Sequence, residues 1–213
     1  MQSVINMRSC KFKTKFSFLL ILFGVFLLIA CSNAPPKNIN NSCEIFSEKD
    51  DWYDAAKESY ERWGVPIHVQ LAIIHQESSF KHDAETEMEY FLWIIPIGRK
   101  STAFGYAQVK DATWDWYIKS TGNTGADRDD FDDAVDFIGW YGKQSYTMLK
   151  ISKWDTYNQY LAYHEGHGGY KRKSYNKKQW LTNIARKVES NAKRYSAQLK
   201  TCEEELNSGW WFW

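Results

Sequence analysis

Apolar side chains recur at helical spacing in several stretches of this chain, and the polar gaps between them predict a mainly α fold. Trp52, Ala55, Ala56, Ser59 and Trp63 fall on one face before Gly64, with Ser47 and Asp50 three residues on reading as the helix start. Pro66 suits the first turn of the next helix, where its missing N–H costs nothing, and Ile67, Leu71 and Ile74 form that helix's face. At about 100° per residue, Glu77 falls at the edge of this stripe between the directions of Ile73 and Ile74, half-buried at a helix end. Three further faces follow: Phe131, Val135, Ile138, Tyr141 and Met148; then Tyr157, Tyr160, Leu161 and His164; then Trp180, Ile184, Val188, Ala192, Tyr195 and Leu199. Residues 84–104 break the period with an acidic start, an apolar run over 90–95, and then Pro96 and Gly98. They predict a small hairpin or lid, either lining the cleft or packed as a structural insertion.

The N-terminus has a different pattern. Arg8, Lys11, Lys13 and Lys15 precede an uncharged apolar run over 16–30, too short for a bilayer-spanning helix, that ends in Leu28-Ile29-Ala30-Cys31. This end resembles the lipobox cut by lipoprotein signal peptidase, which implies a signal peptide over 1–30 and an acylated Cys31; the alternative is an uncleaved anchor. Residues 31–46 then read as the lipidated cysteine and a flexible tether, 47–203 as the domain, and 204–213 as an aromatic tail. Trp210-Trp211-Phe212-Trp213 could fill a groove, lie in a membrane interface or remain disordered.

Removing residues 1–30 takes four basic and no acidic side chains from totals of 27 and 26, leaving a slight acidic excess. Without a clustered basic surplus, a nucleic-acid partner is excluded. Cys10 leaves with the signal and Cys31 is used by lipid, so Cys43 and Cys202 remain. In an oxidising compartment they predict one disulfide from the domain's start to its last helix, with two free buried thiols as the alternative.

Three short runs carry the chemistry: Gln76-Glu77-Ser78-Ser79-Phe80, Gly105-Tyr106-Ala107-Gln108 and Ala162-Tyr163-His164-Glu165-Gly166. Their order resembles the lytic transglycosylases with the soluble-lytic-transglycosylase (goose-lysozyme-like) domain, in a bacterial lipoprotein branch. The similarity covers about Asp50 to Cys202, including Thr113-Trp114-Asp115-Trp116-Tyr117 and Tyr157-Asn158-Gln159-Tyr160. It implies a single catalytic domain of mainly α, α+β lysozyme-like fold, a peptidoglycan glycan strand as substrate, and no cofactor.

By that resemblance, Glu77 is the sole acid and base, protonating the linkage after MurNAc and then taking the C6 hydroxyl's proton as that oxygen closes a 1,6-anhydro sugar. Burial and the negative end of a helix both predict a raised pKa for it. Ser78, Gly105, Tyr106, Gln108, Tyr163 and Glu165 are the substrate-binding candidates, with the Gln108 amide facing a sugar and the Tyr163 hydroxyl beside the acid. His164 and Glu165 replace the Asn and Ala of the commoner Ala-Tyr-Asn-Ala-Gly. Glu165 is therefore either a structural ion-pair partner or a second carboxylate that makes the protein a hydrolase. A binding scaffold with little activity is the third reading.

Metal chemistry is not expected. His164 and His167 stand at i and i+3 with a glycine between, not at the i, i+4 of a zinc helix, and His75, Glu77 and His82 do no better. The acidic run over 127–133 lacks the glycine and terminal acid of a calcium loop and reads as a capped helix start at Asp129 or Asp130. Aromatic residues make up 17% of the chain, with 11 Trp; Trp93, Trp114, Trp116 and Tyr170 are candidates for cleft walls or core. Ser32 after Cys31 is not the aspartate of inner-membrane lipoproteins, which implies a periplasmic enzyme held to the outer membrane of a Gram-negative cell. The membrane through that lipid and the glycan strand are the expected partners.

Overall fold

The computed structural model describes residues 34–208. The signal segment, Cys31 and the Trp210 to Trp213 cluster lie outside the described residues. The chain runs α1 (Ser42–Glu48), α2 (Asp50–Trp63), α3 (Ile67–Ser78), β1 (Met88–Phe91), β2 (Ile95–Arg99), α4 (Asp111–Thr121), α5 (Phe131–Leu149), α6 (Thr156–Lys171), a 3-10 turn (Ser174–Lys177) and α7 (Gln179–Ser208). It is mainly helical with one small sheet, the expected class.

Helix α3 is enclosed by its neighbours: Val69, Leu71, Ala72 and Ile74 are wholly buried, and so is the polar Gln70. Helices α2 and α5 approach so closely that a Cβ on Gly139 would lie 2.3 Å from Ser59 Oγ. The Ser59 hydroxyl donates across this contact to the Val135 carbonyl at 3.0 Å. Trp52 of α2 stacks on Phe131 of α5 with ring centres 3.8 Å apart. This core closes within one compact unit that begins at Pro35.

Three boundaries differ from the sequence reading. The expected tether to residue 46 ends early, because Ser42–Glu48 is helical. Asn41 caps it by accepting from the Cys43 N–H at 3.0 Å, and Ile45 and Phe46 are fully buried. Two adjacent apolar residues in a polar stretch are too few to reveal a period. Ser47 therefore lies inside α1 rather than starting a helix, and the junction to α2 is Lys49. At the other end α7 runs to Ser208 with Leu206 buried, past the expected limit at 203. Cys43 and Cys202 are joined by a disulfide, linking α1 to α7.

Residues 84–104 carry the hairpin. β1 and β2 pair antiparallel, Met88 opposite Arg99 and Phe91 opposite Ile95, with an irregularity between Glu89 and Tyr90. The turn passes through Leu92 and Trp93, both at positive φ. Every residue of β2 is exposed. The hairpin stands out from the domain instead of packing into it.

Candidate active site

Helix α3 stops because Ser79 and Phe80 both take left-handed backbone, φ 53° and 62°. Phe80 is fully buried and stacks on Trp52 at 5.9 Å, which pins the helix end and fixes Glu77 in the last turn. Glu77 is half-buried, and its Oε1 is enclosed with no hydrogen-bond partner. Burial pushes the carboxyl up to about 7, while a hydrogen bond from the Tyr160 hydroxyl works in the opposite direction. The Tyr160 phenol is in turn raised by burial and by the Glu77 charge.

Glu77 opens into a cavity of about 460 Å³. Phe137, Tyr141 and Val109 give it apolar wall; Thr86, Gln108, Lys110, Thr113, Tyr163, His164 and Glu165 supply polar groups. A volume of this size suits a small-molecule or sugar moiety rather than a single water.

Gln108 holds a left-handed φ of 48° and donates Nε2 to the Ala84 carbonyl at 2.6 Å and the Gly105 carbonyl at 3.1 Å. With both amide protons used, its remaining capacity is as an acceptor through Oε1, able to take a sugar N–H or O–H. Tyr163 lines the cavity, yet its hydroxyl donates to the Ala107 carbonyl at 2.5 Å. It braces the Gly105 to Gln108 loop, and the phenol bonded to Glu77 is Tyr160, one helical turn earlier on the same face.

Three expected contact residues take other places. Gly105, at φ 76°, has room for no side chain because a Cβ would fall 2.0 Å from the Arg128 carbonyl oxygen. Its smallness serves that backbone contact, not a ligand. Tyr106 is 4% exposed, packed edge-on against Trp52 and Phe131, and does not line the cavity. The Ser78 hydroxyl turns back to the Ile74 carbonyl at 3.3 Å.

Glu165 is saturated. Lys178 Nζ lies 2.6 Å from Oε1, His164 Nδ1 lies 3.3 Å from the same oxygen, and the Ser174 hydroxyl donates to Oε2. Burial would raise this carboxyl, but the Lys178 and Ser174 bonds outweigh it and hold the group below its ordinary value. Immediately after it, Gly166 (φ 71°, ψ 158°) breaks the helical run of α6 and forms part of the cavity wall.

The remaining candidates scatter. Trp93 is 96% exposed on the hairpin tip, Trp114 is core, Trp116 packs edge-on against Trp140 at 4.6 Å, and the Tyr170 hydroxyl donates to Asn158 at 2.8 Å. The imidazole of His75 pairs with the Tyr195 hydroxyl and that of His167 with Ser145. Asp130 caps α5 by accepting from the Asp132 and Asp133 N–H groups.

Residues 19–202 match the family described as the transglycosylase SLT domain. No curated protein and no solved structure matches this chain.

Proposed function

We propose a specific reaction for a chain that belongs to the transglycosylase SLT-domain family and is therefore a lytic transglycosylase acting on peptidoglycan in general. Glu77 is the single acid and base. Its proton passes to the glycosidic oxygen as the C1–O bond after MurNAc breaks. The C6 hydroxyl oxygen then bonds to C1, and its proton returns to Glu77. The products are a 1,6-anhydroMurNAc end and a free 4-hydroxyl on the departing GlcNAc, with the carboxyl restored and no water consumed.

One observation carries this reading: of the two carboxyls lining the cavity, Glu77 has an enclosed, unpartnered oxygen and is held up to about 7. A carboxyl poised near neutrality is protonated often enough to act as an acid and ionises readily enough to act as a base. Glu165, the group a hydrolase would use to activate water, is tied to Lys178 and Ser174, so no feature of the site favours the hydrolytic reading. Gln108 Oε1 accepts from the substrate's N-acetyl N–H or a hydroxyl in this scheme. Acylation of Cys31 and attachment to the periplasmic face of the outer membrane complete the proposal.

The test is digestion of purified sacculi by the mature chain, with mass spectrometry of the released muropeptides. Anhydro ends are expected, and the Glu77→Gln variant should release none. Reducing ends in their place would overturn the transglycosylase step.

A further inference from the structure

Among the described residues, the hairpin gathers the largest run of exposed apolar side chains. From Tyr90 to Ile97 it holds no charged residue, and Leu92 (67%), Trp93 (96%), Ile94 (79%) and Ile97 (64%) all face solvent. Such a concentration of exposed large apolar groups marks an interaction surface. At its root the charges are paired, Arg99 with Glu85 and Lys100 with Glu87 at 2.8 Å.

We propose that this hairpin inserts its tip into the interface of a lipid bilayer. The inference rests on the proposed acylation of Cys31, because the occupant is argued from where the chain leaves the domain. The compact unit begins at Pro35. Four residues of chain reach at most about 14 Å, so a lipid on Cys31 would keep the domain near the membrane surface. The first residues of the unit are tied to the end of α3. The Tyr195 hydroxyl donates to the Ile39 carbonyl and lies 2.5 Å from His75 Nδ1, in the last turn of α3 from which the loop to the hairpin departs. The first residues of the unit and the helix end that leads to the hairpin thus share Tyr195.

The tip's composition fits that occupant. A tryptophan and a tyrosine flank aliphatic residues, the mixture that favours the boundary between headgroups and chains. β1 has four residues, a projection of about 13 Å that matches an interfacial depth. A second copy added edge to edge is disfavoured, since Pro96 removes a backbone donor from β2 and the irregularity at Glu89 and Tyr90 twists β1. Thr86 and Ala103, one from each root strand's approach, line the cavity, so a seated hairpin would also fix how the cavity faces the wall.

The experiment uses the chain from Ser32 onward, which retains the compact unit and carries no lipid. It is floated with phosphatidylcholine vesicles and, separately, with vesicles containing phosphatidylglycerol. Binding to both is expected, and raising salt from about 0.1 M to about 0.5 M should leave it intact, because the root charges are already paired. Trp93→Ser with Ile94→Ser should lower partition at least about tenfold. The unfolding midpoint should not move, since both side chains are exposed. Leu92→Ser with Ile97→Ser gives an independent second variant. Failure of the wild type to float, equal flotation of both variants, or release by salt overturns the proposal. So does a dimer in sedimentation that the variants dissolve, which would make a second copy the occupant. Incorporation of labelled palmitate, lost in Cys31→Ser, reports on the anchor, and sacculus digestion reports on the reaction. Flotation without either would separate the hairpin's role from those readings.

Discussion

Two carboxyls line one cavity and have opposite fates. Glu77, at the end of α3, has an enclosed oxygen without a partner and rises to about 7. Glu165, before the break in α6, is hardly exposed at all, yet three neighbours hold it ionised. Burial is common to both, so burial does not make an acid. The difference lies in what the protein offers the charge: a single phenol in one case, and an ammonium plus a hydroxyl and an imidazole in the other.

The most severe way to break this contrast is Glu77→Gln, which keeps the shape and removes the exchangeable proton. Turnover on sacculi should fall by about a thousandfold or more, measured as soluble muropeptide released, whereas Glu165→Gln should retain anhydro products. Stability provides the next test. The folded pKa of Glu77, about 7, lies above its ordinary 4.5, so the folded state binds more protons between these values and the wild type loses stability as pH rises through that window. Glu77→Gln has no such loss. It should exceed the wild type by roughly 3 kcal/mol at pH 8 and match it near pH 4, read from urea unfolding.

A smaller effect comes from the other carboxyl. Lys178→Met leaves Glu165 buried without its ammonium, and should cost about 1–2 kcal/mol at pH 7, discounted because Lys178 is 40% exposed. That cost should fade at low pH, where Glu165 protonates. The finest adjustment is Tyr160→Phe. Removing the one donor to Glu77 should push its pKa further up, moving the alkaline limb of the rate profile upward by about one pH unit while leaving the products unchanged.

Much of this site can be read from the chain, and what escapes does so for physical reasons. The place of Glu77 follows from the period of α3 and from Ser79-Phe80, whose reversal fixes the helix end. Gln108 and Tyr163 line the cavity through local runs. Tyr106 belongs to the same run as Gln108 but faces the core, because Gly105 turns the backbone onto Arg128, a contact 23 residues away that no local pattern encodes. Tyr160 was visible only as one member of an apolar face; its hydroxyl becomes meaningful once α6 is laid against α3. The partner of Glu165 comes from beyond the end of α6, across the 3-10 turn. Helix α1 escaped because its polar residues outnumber Ile45 and Phe46.

The Cys43–Cys202 bond has a separate consequence. It turns nearly the whole domain into a covalent ring, its junctions 159 positions apart in the sequence. A protease that finds the protruding hairpin and cuts beside Trp93 would open the ring without releasing a piece. Both halves would stay tethered, able to re-dock, and only a reducing agent would part them on a gel. Closure also needs Cys202 near the end of α7, so the ring can be sealed only after nearly all of the domain has been synthesised.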